Sequence, residues 1–193
     1  MRSTVSIVLK IVILDLGTGN IGAVRKVCRA LGQEPEITQA PSALMRAGLL
    51  IVPGVGAFDA AAKVLHSAGL ADAIRQRVEE GSISVLGLCL GMHLMLDGSD
   101  EGVLPGLGLI PGRAVRMQAN PEIKLPHMGW NTVRIERTTS TTRNLDANPR
   151  FYFAHSFTPR VLNTNDVILT TEHGQRLVAG IERGPVTGVQ FHP

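Results

Sequence analysis

The chain has 193 residues, 44% of them hydrophobic, and this length and composition predict a single globular domain with one buried core. Nineteen Lys and Arg against sixteen Asp and Glu give a net charge of +3, but the basic residues are scattered and only one Trp and one Tyr could stack on bases, which argues against a nucleic-acid-binding protein. The two cysteines, Cys28 and Cys89, are too few for a disulfide scaffold and favour a reducing, cytoplasmic setting.

The start of the chain, Met1 to Leu14, combines a basic residue with apolar ones, as a signal peptide does. Lys10 interrupts this run and no small-residue cleavage site follows, so we expect no export signal. The best candidate for a membrane span is broken by Pro53, Gly54 and Gly56, and no apolar stretch approaches the roughly twenty residues that a span needs. We therefore expect a cytoplasmic protein with no membrane segment.

The first half of the chain alternates between strand and helix patterns. The predicted strands are Ile11 to Asp15, Glu36 to Thr38, Leu49 to Val52 and Ile83 to Leu88. The predicted helices are one with Ile21, Val24, Val27, Cys28 and Leu31 on its apolar face, followed by Ser42 to Arg46, Ala57 to His66, Leu70 to Glu80 and Leu90 to Leu96. This alternation predicts an α/β fold whose largely parallel sheet is covered by helices on both faces.

After Asp97 the pattern changes, because Gly, Pro and Thr now separate short runs typical of strands. These runs are Ala114 to Met117, Thr132 to Ile135, Arg150 to Phe153, Val167 to Thr171, Leu177 to Ile181 and Val186 to Phe191. The polar segment Thr138 to Thr142 is expected to be a hairpin tip or a loop. The second half is therefore predicted to add antiparallel strands to the parallel sheet.

Cys89 lies between two glycines in Gly87-Leu88-Cys89-Leu90-Gly91, where a predicted buried strand meets a predicted helix. A reactive side chain that projects from a sharp strand-to-helix turn needs small neighbours, because any Cβ there would crowd the turn. The unpaired N–H groups of a helix start also favour a thiolate over a thiol. We therefore interpret Cys89 as a nucleophile rather than a buried structural cysteine, and Cys28 as a core residue.

A cysteine that attacks an amide needs N–H donors for the developing oxyanion, and it needs a base. The N–H of Leu90 is one predicted donor. Pro53-Gly54-Val55-Gly56 either brings a second donor, because glycine lets the backbone approach a ligand closely, or simply ends a strand. His192 ends a predicted buried strand, where ligands of parallel sheets gather, and is the best placed of six histidines. The histidine spacing fits no zinc site, so we expect no metal or other cofactor.

A glycine-rich turn offers a different function. Gly17-Thr18-Gly19-Asn20-Ile21-Gly22 fits the G-x-G-x-x-G pattern of dinucleotide-binding proteins between a strand and a helix. That fingerprint also needs an acidic residue at the end of the second strand, where this chain has Thr38 and Gln39. The pattern is therefore a weak indication of a nucleotide site.

Six ordered segments together resemble the glutaminase subunits of imidazole glycerol phosphate synthase, a family of class I glutamine amidotransferases. The segments are Asp15 with Gly17-Thr18-Gly19-Asn20, Pro53-Gly54-Val55-Gly56, Gly87-Leu88-Cys89-Leu90-Gly91-Met92, Pro126-His127-Met128-Gly129-Trp130-Asn131, Tyr152-Phe153-Ala154-His155-Ser156 and Gln190-Phe191-His192-Pro193. The resemblance implies one amidotransferase domain over residues 1–193 with the flavodoxin-like fold of that class.

The resemblance also implies roles for individual residues. Cys89 would form a glutamyl thioester, with His192 as its base and acid. Backbone groups of Gly54, Val55 and Leu90 would form the oxyanion hole. The residues implied to lie against the glutamine are Gly56, His93, His155 and Ser156.

The implied partner is a (β/α)₈-barrel cyclase, which would use the ammonia to make imidazole glycerol phosphate and an aminoimidazole carboxamide ribotide. Asn20, Trp130 and Asn131 match family positions at the interface with that barrel. These three residues are therefore expected to share one surface that faces the cyclase.

The chain departs from the family at three places. His93 stands where the family usually has a glutamine-binding Gln, and Phe157 stands where Tyr is common. The sequence stops at Pro193, before the Glu of the family's Cys-His-Glu triad and before its last helix, so we expect the chain to be incomplete there. This leaves open a non-catalytic pseudo-glutaminase that only docks on a cyclase, and an amidotransferase subunit for another acceptor.

Overall fold

The structure is a computed structural model that describes residues 10–119 and 123–192. Residues 1–9, which form most of the segment weighed as an export signal, lie outside the described residues, and so does Pro193. Within the described ranges, no helix combines the length and the apolar character needed to cross a membrane.

The secondary structure follows the alternation that the sequence predicts. The strands are β1 (Ile11–Leu14), β2 (Glu36–Thr38), β3 (Leu49–Gly54), β4 (Ser84–Cys89), β5 (Gly98–Ser99), β6 (Gly112–Arg116), β7 (His127–Ile135), β8 (Arg150–His155), β9 (Phe157–Val161), β10 (Val167–Glu172), β11 (Arg176–Arg183) and β12 (Val186–Val189). The helices are α1 (Ile21–Ala30), α2 (Pro41–Leu44), α3 (Phe58–Ser67), α4 (Leu70–Glu79) and α5 (Leu90–Leu94), with a 3₁₀ turn at Thr164–Asp166.

In the described part of the chain, nine strands form one sheet in the order β2-β1-β3-β4-β12-β11-β10-β7-β8. The first five strands in that order are parallel, and their register pairs Gly54 with Cys89 and Leu88 with Val189. The carboxyl ends of β3, β4 and β12 therefore lie side by side. Ligands of parallel sheets bind at that edge.

The second half adds antiparallel strands to the main sheet, as predicted, in β7, β8, β10 and β11. The prediction is wrong for two of its runs, because β12 also pairs in parallel with β4 and β6 belongs to a separate sheet. Strand β7 is longer than expected, because its first half pairs with β8 and its last residues pair with β10. A bridge between Tyr152 and His192 joins β8 to the segment after β12. This pairing brings the far end of the sheet close to the catalytic edge.

A small sheet of β5, β6 and β9 packs beside the main one. The sequence gives no strand signal for β5, which is only two residues long, or for β9, which contains Pro159. Strand β9 stands at the edge of its sheet, where a missing N–H is tolerated. The polar segment Thr138 to Thr142 is a loop, as predicted.

Apolar side chains pack on both faces of the main sheet, which confirms the predicted architecture. Phe58, Leu65 and Met92 belong to the core on one face, while Cys28 and Phe153 belong to the core on the other. Cys28 is thus a core residue, as expected.

The expected apolar face of α1 is partly wrong. Val24 and Cys28 are buried, but Val27 is 43% exposed and Leu31 is 73% exposed. Helix α1 has ten residues, and its buried residues Val24 and Cys28, one turn apart, form only a narrow stripe against the sheet. Leu31 lies beyond the last turn of the helix. The apolar spacing therefore overstated the width of the buried stripe.

Candidate active site

Cys89 lies at the end of β4 and directly before α5, at the predicted junction. Its φ of 53° is the one positive φ of a non-glycine residue in the described part of the chain. Positive φ is strained for a side chain with a Cβ and is often found at functional sites. The backbone therefore projects Cys89 from a sharp elbow.

The flanking glycines allow this elbow to pack against β3. A Cβ on Gly91 would overlap the carbonyl oxygen of Val52, and a Cβ on Gly87 would stand 2.6 Å from the carbonyl group of Gly91. Both contacts involve backbone atoms, which cannot rotate away. The glycine requirement inferred from the sequence thus has a direct steric cause.

Cys89 and His192 line the same cavity, of about 310 Å³. The cavity lies at the carboxyl edge of β4 and β12. The other residues that line it are Val55, Gly56, Leu90, His93, Glu101, Pro126, Ala154, His155, Ser156 and Phe157. The structure therefore brings together most of the residues that the sequence singled out, although they come from segments far apart in the chain.

The segment after β3 lies beside the nucleophile. Gly54 is paired in register with Cys89, and a Cβ on Gly54 would stand 2.9 Å from the Cβ of Leu90. Val55 and Gly56 follow as an exposed turn in which Gly56 has a φ of 91°. Two stretches of backbone, at Gly54 to Gly56 and at Leu90, thus lie on one side of the cavity, and an oxyanion site requires backbone N–H donors in such a position.

Burial determines the protonation state of the Cys89 thiol. Desolvation raises its pKa to about 11, while the N–H of Leu90 and the side-chain amide of Gln190 act in the opposite direction. The N–H at the helix start does favour the thiolate, as expected, but burial outweighs it and the net pKa is raised. Helix α5 has five residues, and its favourable effect is smaller than the desolvation of a buried sulfur.

His192 is held at the cavity by its backbone, whose N–H donates to the carbonyl of Tyr152 at 3.0 Å. Desolvation lowers the pKa of its imidazole, so the ring is neutral at physiological pH and can accept a proton. Between the described residues no hydrogen bond joins its ring to Cys89. Contacts between a nucleophile and its base are often long before substrate binds.

Two buried networks adjoin the cavity. In one, His93 Nε2 lies 2.8 Å from Gln190 Oε1, and Gln190 Nε2 donates to Cys89 Sγ at 3.7 Å. In the other, the three polar side chains are His155, His127 and Asn131. His155 Nδ1 donates to the carbonyl of Phe157 at 2.8 Å, His127 Nδ1 lies 2.9 Å from His155 Nε2, and the Asn131 amide lies 3.1 Å from His127 Nε2. Burial lowers the pKa of His155 to about 3.

Glu101 is a cavity residue that the sequence reasoning missed. Its carboxylate accepts a hydrogen bond from the N–H of Phe58 at 3.2 Å, and burial raises its pKa. It is the one acidic side chain among the described residues that line the cavity. The signal that could have found it is its place twelve residues after Cys89, in the turn that follows β5.

The three predicted interface residues lie outside this cavity. Asn20 caps α1, with its side-chain oxygen accepting from the N–H of Ala23, and it lines a second cavity of about 320 Å³ together with Tyr152 and His192. Trp130 is 66% exposed, and its ring meets that of Tyr152 edge to face at 6.1 Å. Asn20 and Trp130 therefore flank Tyr152 on one side of the molecule.

Asn131 does not share that surface. It follows Trp130 directly on β7, and successive strand residues point to opposite faces. Its amide donates to the carbonyl of Glu172 at 2.8 Å and contacts His127. The expectation that all three interface residues share one exposed face therefore fails for the Asn131 side chain.

The glycine-rich turn after β1 packs against the same region. The N–H of Gly17 donates to Asp15 Oδ1 at 2.9 Å, and a Cβ on Gly19 would stand 3.5 Å from the backbone of Pro53 and Gly54. The turn thus supports the segment after β3. In the described residues, no group of three or more His, Cys, Asp or Glu is placed to hold a metal ion.

Comparison with known proteins agrees with this geometry. Residues 12–193 match the model of the family "Glutamine amidotransferase class-I". The imidazole glycerol phosphate synthase subunit HisH 2 of Methanococcus maripaludis is 37% identical to the chain, over 95% of this chain and 91% of that protein. The subunit HisH of Methanopyrus kandleri is 43% identical, over 96% and 90% of the two chains.

A solved structure of a glutamine amidotransferase superposes on the chain with a TM-score of 0.76. The alignment covers 95% of this chain and 89% of the other, at 23% identity. At this identity the likeness concerns the fold.

Proposed function

Since the chain belongs to the class I glutamine amidotransferase family, we propose that it is a glutaminase subunit that hydrolyses L-glutamine to glutamate and ammonia. The observation that carries the proposal is the cavity shared by Cys89 and His192 at the carboxyl ends of two adjacent parallel strands. A buried thiol, a neutral imidazole and converging backbone N–H groups are the parts that acyl transfer from an amide requires.

The reaction begins with a neutral thiol. As the sulfur of Cys89 attacks the side-chain carbonyl carbon of glutamine, His192 takes the thiol proton. The resulting oxyanion accepts hydrogen bonds from the N–H of Leu90 and from the backbone at Gly54 and Val55. Collapse breaks the C–N bond, and His192 returns the proton to the departing nitrogen, which leaves as ammonia.

The thioester is then hydrolysed. His192, again neutral, takes a proton from water, whose oxygen attacks the thioester carbonyl. The C–S bond breaks, the sulfur regains a proton from His192, and glutamate leaves. This order suits the raised pKa of Cys89, because the base removes the proton during attack and no thiolate need exist beforehand.

Glu101 gives the cavity a means to recognise an amino acid. Its carboxylate is suited to form a charge-assisted hydrogen bond with the positively charged α-ammonium group of glutamine. The wall formed by Gly56, His155 and Ser156 would hold the rest of the ligand. At His93 and Phe157 the wall differs from the family pattern, so contacts with glutamine there differ too.

The two relatives named above are subunits of imidazole glycerol phosphate synthase, so we propose that this chain works as a subunit together with a cyclase. In finer detail, the partner would be a (β/α)₈-barrel that uses the ammonia to make imidazole glycerol phosphate and an aminoimidazole carboxamide ribotide. Asn20 and the exposed Trp130 would contact it, because a lone exposed Trp is a common interface anchor. Asn131 would not contact the cyclase directly, and its role would be to position His127, with which its side-chain amide is in hydrogen-bond distance.

The test combines labelling with transfer of isotope. The chain, in complex with the cyclase and its ribotide ligand, is treated with a glutamine-analogue electrophile and the modified peptides are mapped. We expect label on Cys89, protection by glutamine, and almost none on Cys28. Glutamine carrying ¹⁵N in its amide should deliver that nitrogen to the imidazole product. Label mainly on Cys28, or no glutamate released by the complex, would refute the proposal.

A further inference from the structure

We propose that His93 is a positioning residue that acts through Gln190 to direct an N–H donor at the sulfur of Cys89. The inference rests on the proposed glutaminase function and adds two residues to the control of its nucleophile. His93 occupies the position at which the resembled family usually has Gln. The structure gives this histidine a partner in the protein itself.

The three side chains form a continuous buried path. His93 is 4% exposed, Gln190 is fully buried and Cys89 is 7% exposed. His93 Nε2 lies 2.8 Å from Gln190 Oε1, and Gln190 Nε2 lies 3.7 Å from Cys89 Sγ. The N–H of Gln190 also donates to the carbonyl of Ala179 at 2.9 Å, which fixes its backbone between two strands. Gln190 therefore has little freedom other than the orientation of its amide.

The tautomer of neutral His93 decides that orientation. Complete desolvation lowers its pKa to about 4, so the ring is neutral at physiological pH and carries one N–H. When the hydrogen is on Nε2, the ring donates to the oxygen of the Gln190 amide, and the NH₂ end must face the sulfur. With the amide reversed, an oxygen would face the sulfur and repel a developing thiolate. His93 thus selects the favourable orientation.

The donor matters because the sulfur is poorly solvated. Burial disfavours the thiolate, and a hydrogen bond to the charged form opposes this effect. Removal of the donor, or of the residue that aims it, should raise the thiol pKa further. A Gln at position 93 also carries a donor NH₂ group, so His93→Gln should preserve the arrangement, whereas His93→Leu should not.

The experiment measures the alkylation rate of Cys89 by iodoacetamide, followed on the Cys89 peptide by mass spectrometry at a fixed pH near 8. The variants are His93→Leu, His93→Gln, Gln190→Met and the double variant His93→Leu/Gln190→Met. His66→Leu is the matched control, because this half-buried histidine binds the carbonyl of Pro105 away from the cavity. Glutamine hydrolysis by the complex with the cyclase is measured in parallel.

A rise of about one pH unit in the thiol pKa leaves about tenfold less thiolate, and since a more basic thiolate is more nucleophilic, the alkylation rate should fall by about threefold. We expect this fall in His93→Leu and Gln190→Met and normal rates in His93→Gln and His66→Leu. The double variant should equal Gln190→Met alone, because His93 acts only through Gln190. A separate further fall in the double variant would overturn the relay.

A measurement on the unmodified protein covers the case in which a variant does not fold. The ¹⁵N shifts of labelled histidine distinguish the two neutral tautomers, and the proposal requires the hydrogen of His93 on Nε2. A hydrogen on Nδ1 would overturn it. If the wild-type complex hydrolyses glutamine but the alkylation rate of His93→Leu is normal, only the relay is wrong. If the wild-type complex releases no glutamate, the proposed function fails instead.

Discussion

Replacement of Gly91 by Ala should damage stability and activity together, because Gly91 is where the nucleophile elbow touches the neighbouring strand. The new Cβ would overlap the carbonyl oxygen of Val52 and stand 2.8 Å from its carbonyl carbon. Neither atom can move without the backbone of β3, which is paired with β1 and β4. The elbow and the strand must therefore separate.

The size of the effect follows from the contact. Overpacking of a close-packed interior costs about 1–3 kcal/mol, and a clash with backbone belongs at the upper end of this range. For a chain of this length, about 3 kcal/mol lowers the melting temperature by roughly 6–12 °C. The displaced strand ends at Gly54, so the proposed oxyanion donors would move as well, and a misplacement of about 1 Å can reduce the rate by roughly 100-fold.

The assay compares thermal melting and glutamine hydrolysis of Gly91→Ala with those of Gly22→Ala. Gly22 lies within α1, and a Cβ there would meet only the Asn20 side chain at 3.8 Å. The control should be stabilised by about 0.5–1 kcal/mol, since Ala is the better helix former. A change of 1 kcal/mol shifts the melting temperature of such a chain by roughly 2–4 °C. If the melting temperature of Gly91→Ala lay within about 2 °C of the wild-type value, the clash would cost less than about 1 kcal/mol and our account of the elbow would be wrong.

The lowered pKa of His192 should keep the base neutral on mild acidification, so kcat/KM for glutamine should fall only below about pH 6.5; a midpoint above that value would contradict the burial argument. Glu101→Gln should raise KM roughly 10-fold or more with a smaller change in kcat, measured by glutamate release. Trp130→Ala should weaken cyclase binding by about 2 kcal/mol, roughly 30-fold in Kd by calorimetry. Between about pH 6.5 and pH 4 the unfolded chain binds a proton that buried His93 does not, so this residue should contribute about 1.4 kcal/mol per pH unit to the loss of unfolding free energy on acidification. Other buried histidines such as His155 act in the same direction, so His93→Gln should reduce the slope in denaturant titrations by about that amount and leave the remainder.

The parallel half of the fold could be predicted because most of its strands, unlike the edge strand β2, are buried on both faces. Such strands appear in the sequence as apolar runs bounded by turn residues, and the runs at Leu49 to Val52 and Ile83 to Leu88 mark β3 and β4 to within two residues. The elbow at Cys89 could be predicted for a related reason. Where a helix start packs so closely on a neighbouring strand that a Cβ would overlap its backbone, only glycine fits, as at Gly91. Glycines at such a spacing can be recognised in the sequence.

Features that depend on neighbours distant in sequence could not be predicted. Periodicity places Val27 on the apolar face of α1, but it cannot show how much of that face the sheet covers. The raised pKa of the Cys89 thiol results from packing around the sulfur by several segments, and this burial outweighs the local effect of the helix start, which has the predicted sign. Gln190 looked like one polar residue within a motif, and its contacts with His93 and Cys89 span about a hundred residues of sequence.

The position of β12 in the sheet also bears on how the protein is made. Of the described strands it comes last along the chain, yet it lies in the middle of the sheet, between β4 and β11. During synthesis on the ribosome, the edge of β4 that will pair with β12 therefore stays unpaired until about a hundred more residues have been synthesised. Pairings of such long range close slowly, and an open strand edge invites association with other chains. Nascent chains should thus depend on chaperones until β12 has been synthesised, and His192 can line the cavity of Cys89 only after β12 has paired with β4.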